Sequence, residues 1–174
     1  VQKGGTFILN NGAVKGNAAS YGAGVSGWAA NLIQINGGEI SFNSAKDLSF
    51  DDNGTTYSQY GKYGGGINLG GGSTLELNGG RVVSNSATTD SGGLKTYASE
   101  TVKASGHPVV YGNVVGGTVS GEGGSYRLEG GSASNVYLPS EDSAIALTGA
   151  LAPEAVVGVS TAKKLATGTA VRIT

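Results

Sequence analysis

Three aspartates crowd into KDLSFDDNG, Asp47, Asp51 and Asp52, and hard oxygen ligands at this density are the chain's candidate Ca²⁺ site. The spacing departs from an EF-hand loop, whose central glycine and distal Glu are missing, and a turn whose Asx side chains bond their own backbone explains DDNG as well. The same three carboxylates are the candidate acids of a polysaccharide lyase or hydrolase, a chemistry that needs two carboxyl groups roughly 5 to 10 Å apart across one bond. Other acids offer less. Glu39 and Arg81 hold the same position in two copies of a repeat and read as a surface ion pair, while Glu76 falls on an outward position where Glu76→Lys should be nearly silent. His107 is the one histidine, and Cys is absent, so multi-histidine zinc sites, thiolate sites and disulfides are excluded. GGGINLGGGS lacks the Lys-Ser/Thr pair of a phosphate loop. No catalytic constellation assembles from these residues.

Aromatic residues make the other candidate site. Tyr57, Tyr60 and Tyr63 recur every three residues, and Tyr21 and Trp28 flank the equivalent corner one repeat earlier. Exposed Tyr and Trp offer flat, rigid surface to a sugar ring or a protein partner. The competing reading folds the same rings down onto the scaffold as a cluster that anchors a loop.

A repeat must position all of these. FILNNGAVKGNAA, IQINGGEISFNSA and LELNGGRVVSNSA begin at Phe7, Ile33 and Leu75. Aligned without gaps they superpose Leu9, Ile35 and Leu77, then Asn10, Asn36 and Asn78, then Val14, Ile40 and Val82, then Asn17, Asn43 and Asn85. Apolar residues alternate within each copy, the period of a short strand with one buried face. Asn and Gly close each strand, and both tolerate the left-handed backbone of a sharp corner. A third apolar position follows at Val25, Ile67 and Leu94, so the repeat predicts three strands and three corners per turn. Copies stacked at the strand spacing of roughly 4.8 Å would bury their apolar residues on one another and set Asn above Asn in amide ladders.

The copies start 26 and 42 residues apart, and a polar, Tyr-rich insertion at about 46–62 accounts for the difference. Its removal restores a solenoid-like period. Beyond residue 105 the pattern decays through VVGGTVSG, YRLEGGSASNVYL, SAIALTG, AVVGVS and AVRIT, and no repeat fits 95–113. The expected fold is all-β, a right-handed parallel β-helix in one domain over 1–174. It has about three regular coils in 1–105, then irregular coils or a capping sheet in 106–174.

GAGV at Gly22–Val25 and GGGI at Gly64–Ile67, alternating with VKGN, ISFN and VVSN, resemble the GGA[ILV] and FxxN repeats of chlamydial polymorphic membrane protein adhesins. They are equally similar to the right-handed β-helix repeats of large surface proteins of gut Firmicutes, and NVYLPSEDSAIALTGAL resembles the segment with which such regions end. The resemblance implies an extracellular scaffold used in adhesion or host contact, with no catalytic residues to carry over.

Charge agrees with that class. Charged residues make up 13% of the chain and the formal net charge is -1, without the basic stripe of a nucleic-acid binder. No apolar run is long enough to span a bilayer. Met is absent and no leader precedes the first repeat, so a processed protein or a piece of a longer one is expected. Three functions are therefore carried forward. The first is a non-enzymatic surface module binding a glycan or host protein through its loops, the second a β-helix polysaccharide lyase or hydrolase, the third a spacer without a ligand. No cofactor is expected beyond the possible Ca²⁺.

Overall fold

The computed structural model describes residues 1–30, 32–140 and 143–161. Every regular element among them is a strand, and most belong to four five-stranded sheets that the chain visits in turn. The first sheet takes Thr6–Leu9, Leu32–Ile35, Thr74–Leu77, Thr101–Gly106 and Ile145–Leu151. The second takes Ala13–Lys15, Glu39–Ser41, Arg81–Val83, Val109–Tyr111 and Val156–Val157. Two-residue strands, Ala18–Ala19, Ser44–Ala45, Ser86–Ala87, Val114–Val115 and Ser132–Ala133, build the third. The fourth holds Val25–Trp28, Ile67–Gly70, Leu94–Lys95, Val136–Leu138 and Val159–Thr161. Pairing is parallel throughout, except that Ser132–Ala133 runs antiparallel to Val114–Val115.

Register follows the aligned motifs. Phe7 lies opposite Ile33 and Ile33 opposite Leu75, and Val14, Ile40 and Val82 form the matching row of the second sheet. Each row stacks apolar on apolar. Ile33, Ile35, Ile40, Ile67, Leu69 and Leu75 are completely buried. At about 1.5–3 kcal/mol for each fully buried Leu, Ile or Val, these columns are the main stabilising term.

The structure differs from the sequence reading in three places. Each of the first three circuits of the chain places four strands in the sheets, not three, because a two-residue strand after Asn17, Asn43 or Asn85 is too short to show alternation. The sheets also run on past the third copy: Thr101–Gly106 and Val109–Tyr111 occupy the stretch where no repeat was legible. Within VVGGTVSG, Val114–Val115 does continue the third sheet beside Ser86–Ala87, but TVSG and YRLE are not degenerate repeats, since Thr118–Glu122 and Ser125–Glu129 pair with each other as an antiparallel hairpin. AVRIT lies outside the described residues.

The 46–62 insertion holds a hairpin as well, Leu48–Asp52 with Thr55–Gln59. Asn53 and Gly54 turn it, both at positive φ (49° and 81°), and Gly123 and Gly124 do the same for the second hairpin at 61° and 94°. Two consecutive residues at positive φ make the turn whose twist suits a two-residue hairpin loop. Both hairpins leave the circuit directly after its strand in the third sheet, so the long excursions start from one side of the stack. No helix is long and apolar enough to cross a membrane among the described residues.

Candidate functional site

Strand alternation turns Val25, Ile67, Leu94 and Val136 of the fourth sheet inward and sets Ser26, Asn68, Lys95 and Tyr137 in the adjacent row. Aromatic rings from the flanking turns close over that row. Lys95, only 6% exposed, carries its ammonium 4.0 Å from the Tyr137 ring centre, 5.1 Å from Tyr97 and 5.7 Å from Tyr63, and donates to the Asp90 carboxylate at 3.0 Å. A buried ammonium needs such company: the ring faces and one carboxylate replace the water it has lost. Tyr21 tilts against Tyr63 with ring centres 5.7 Å apart, and its hydroxyl donates to the Tyr60 carbonyl at 2.9 Å. Trp28 meets Tyr97 edge-on at 6.4 Å.

Burial raises the phenol pKa of Tyr97, helped by Tyr21 and Tyr63, and burial followed by Asp90 raises that of Tyr137. Both rings are therefore neutral hydrogen-bonding phenols across the physiological range. Beneath the rings, Asn68 is 3% exposed and its Oδ1 has no hydrogen-bond partner among the described residues.

Local sequence explains the Trp28 corner. Its indole covers Gly70, where a β-carbon would come within 2.5 Å of the ring, so only glycine lets the ring lie against the sheet. Ser73 accepts from the Ala30 amide and donates to the Gly70 carbonyl, and the Glu100 carboxylate accepts from the Gly72 and Tyr97 amides. The 97–100 turn is thereby tied to the corner that presents Trp28. On its other flank, Tyr97 lines a cavity of about 220 Å³ with Thr96, Glu100, Thr101, Ser143 and Ala146.

No family model, curated protein or solved structure matches the chain.

The sequence-predicted aromatics are thus divided among three surroundings. Tyr63 and Trp28 join the cluster around Lys95 and Tyr97. Tyr57 stays on the first hairpin, stacked on Phe50 across the strands at 5.3 Å with both rings about half exposed. Tyr60, at the hairpin base, is 73% exposed. Lys95, Tyr97 and Tyr137 escaped the sequence reading because they sit where the repeat is interrupted. Tyr97 is in a turn and Tyr137 belongs to a later circuit, so no local spacing links them to Tyr63. The register of Leu94 with Ile67, visible as SGGL after YGGGI, is the one signal that places Lys95 beside Asn68.

The acids do not converge. Asp47 pairs with Lys62 at 3.2 Å, Asp51 accepts from the Thr56 hydroxyl, and Asp52 accepts from the Asn53 amide at 3.0 Å. All three are exposed, and among the described residues no group of three His, Cys, Asp or Glu side chains gathers as a metal would require. Arg81 lies 3.6 Å from Glu39, and Glu76 accepts from Gln34 at 2.9 Å and Lys103 at 3.2 Å. The carboxylates on the sheets are occupied by cations and amides, which is the arrangement of a surface and not of an acid pair around a scissile bond.

Two asparagine ladders run along the stack. In the outer one, Asn36 donates to Asn10, Asn78 donates to Asn36, and Ser105 donates to Asn78, at 2.8–2.9 Å. In the inner one, the side-chain and backbone amides of Asn17, Asn43, Asn85 and Asn113 each donate to the Oδ1 of the next Asn, ending on Asn135. Asn113 and Asn135 extend the inner ladder beyond the three aligned copies.

Proposed function

We propose that the chain is a right-handed parallel β-helix module of an extracellular or surface-displayed protein. It works without catalysis, as an adhesin-like or stalk domain whose exposed aromatics hold a glycan or a protein partner. The stacked parallel circuits support the fold, since connections between parallel strands of a right-twisted sheet are right-handed as a rule. The extracellular placement rests on the resemblance of the GAGV, GGGI and FxxN-like motifs to surface repeats.

The observation that carries the binding reading is the ring cluster around Lys95, with Trp28 and Tyr21 open to solvent at its edge and Tyr60 exposed at the base of the neighbouring hairpin. Rings held this rigidly lose little entropy on binding a partner. The lyase or hydrolase reading draws no support from Asp47, Asp51 and Asp52, each of which already has a partner outside any shared cleft.

Binding to a glycan array, to mucin and to host cells tests the reading. Deleting Ser49–Tyr60 removes the first hairpin, and Trp28→Ala removes the exposed indole. The two changes together should leave the cooperative melt intact and abolish binding. Binding that survives both changes overturns the reading, and a chain that binds nothing is a spacer.

A further inference from the structure

Resting on the binding reading above, we infer that Trp28, Tyr97 and the cavity beside Tyr97 form one subsite for a neutral carbohydrate chain. Tyr97 connects the two halves: it touches the edge of the Trp28 indole and lines the cavity of about 220 Å³. Trp28 is 58% exposed although its ring is seated on Gly70, so one broad aromatic surface is fixed in place and left open. An aromatic face suits the apolar C–H side of a sugar ring, and hydroxyl and carboxylate groups suit its rim of hydroxyls. The cavity supplies that rim through Thr101, Ser143 and Glu100. Flat apolar surface beside a hollow rimmed by hydroxyls and a carboxylate is the composition a sugar needs, since its own hydroxyls can both donate and accept there.

Charge sets the class of sugar. Lys95 is the cation within the cluster, and its ammonium is committed to Asp90 and three ring faces. The charged group among the described residues of the cavity is a carboxylate, Glu100, held by the Tyr97 and Gly72 amides. An acidic polysaccharide entering this site would meet that carboxylate with no uncommitted ammonium among the described residues of the cluster to offset it, whereas uncharged hydroxyls can donate to Glu100. Lys95 is on this account a positioning residue, tying Tyr63, Tyr97 and Tyr137 together beneath the ligand.

The 174-residue chain is titrated by calorimetry and affinity electrophoresis with neutral polymers, a β-glucan, a xylan and a galactomannan, and with polygalacturonate and hyaluronate. The expected result is binding to at least one neutral polymer, with equal affinity in low and high salt. Trp28→Ala should weaken it by about tenfold or more, the loss of one aromatic anchor, with an unchanged melting temperature. Ala146→Trp, which fills the cavity from an exposed position, should weaken it as well, while Tyr57→Ala on the distant hairpin should not. Preference for the acidic polymers with loss in high salt overturns the inference, and so does neutral binding that Trp28→Ala and Ala146→Trp leave intact. Failure to bind any neutral polymer also overturns it. The broader reading as a binding module stands in that case if mucin or cell binding still depends on the hairpin or Trp28, and falls if it does not.

Discussion

The aligned Asn residues look equivalent along the chain, yet their surroundings give them different weights. Asn85 is fully buried: its Nδ2 donates to the Ile40 and Val83 carbonyls and to Asn113 Oδ1, and its Oδ1 accepts from both the backbone amide and the side-chain amide of Asn43. Asn85→Ala strands several of these groups away from water, at about 1–3 kcal/mol for each group left unpaired. A total loss of about 3–5 kcal/mol is expected, and Asn85→Asp should do no better because a carboxylate cannot donate to Asn113 or Ile40. Asn36 belongs to the outer, partly exposed ladder, where water replaces a lost partner, and Asn36→Ala should cost about 1 kcal/mol or less. Urea unfolding of the variants separates the two ladders, and equal losses would refute the distinction. Sequence shows that both Asn positions recur. Which of them faces inward was not legible, because corners carry no alternation to reveal direction.

At the scale of elements, the two hairpins begin from the same corner and end differently. The first presents Phe50 and Tyr57 to solvent, stacked only on each other. The second folds back along the stack. Tyr126 packs against Phe42 with ring centres 6.0 Å apart, and it lies where a β-carbon on Gly16 would stand, so an excursion from the fourth circuit covers corners of the first two. Chymotrypsin should therefore cut the first hairpin well before the second, since cleavage requires local opening and the first is tied at its base alone, where Ser20 donates to the Gln59 carbonyl, while the second has an aromatic ring packed on distant corners. Tyr126→Ala should bring cleavage of the second hairpin forward and cost about 1–2 kcal/mol in global stability. Simultaneous cleavage of both hairpins in the native chain would contradict this account. Asn53-Gly54 and Gly123-Gly124 are strong hairpin signals in the sequence. They were masked because glycine and Asn also mark every corner of the repeat.

For the whole molecule, the aliphatic columns decide stability and the outward rows decide surface chemistry. Leu77 is 1% exposed between Ile35 and Ala104, so Leu77→Asp buries a charge with no partner and should abolish cooperative folding, as followed by far-UV circular dichroism. Its neighbour Glu76 points outward but is not idle, since it holds Gln34 and Lys103. Glu76→Lys, expected from sequence to be nearly silent, sets a like charge beside Lys103 and should cost about 1 kcal/mol. If the two variants unfold alike, the inward and outward assignments are wrong. Alternation and the spacing of Asn and Gly were enough, unaided, to determine an all-β chain, the rows Phe7–Ile33–Leu75 and Val14–Ile40–Val82, and the excursion at 46–62, because each is a local or strictly periodic property. The two-residue strands of the third sheet, the continuation through 101–111 and the meeting of Trp28, Tyr63, Lys95, Tyr97 and Tyr137 were decided only by tertiary structure. Those residues come from different circuits with irregular insertions between them, and only the sheet register, set by burial of the columns beneath, brings them to one face.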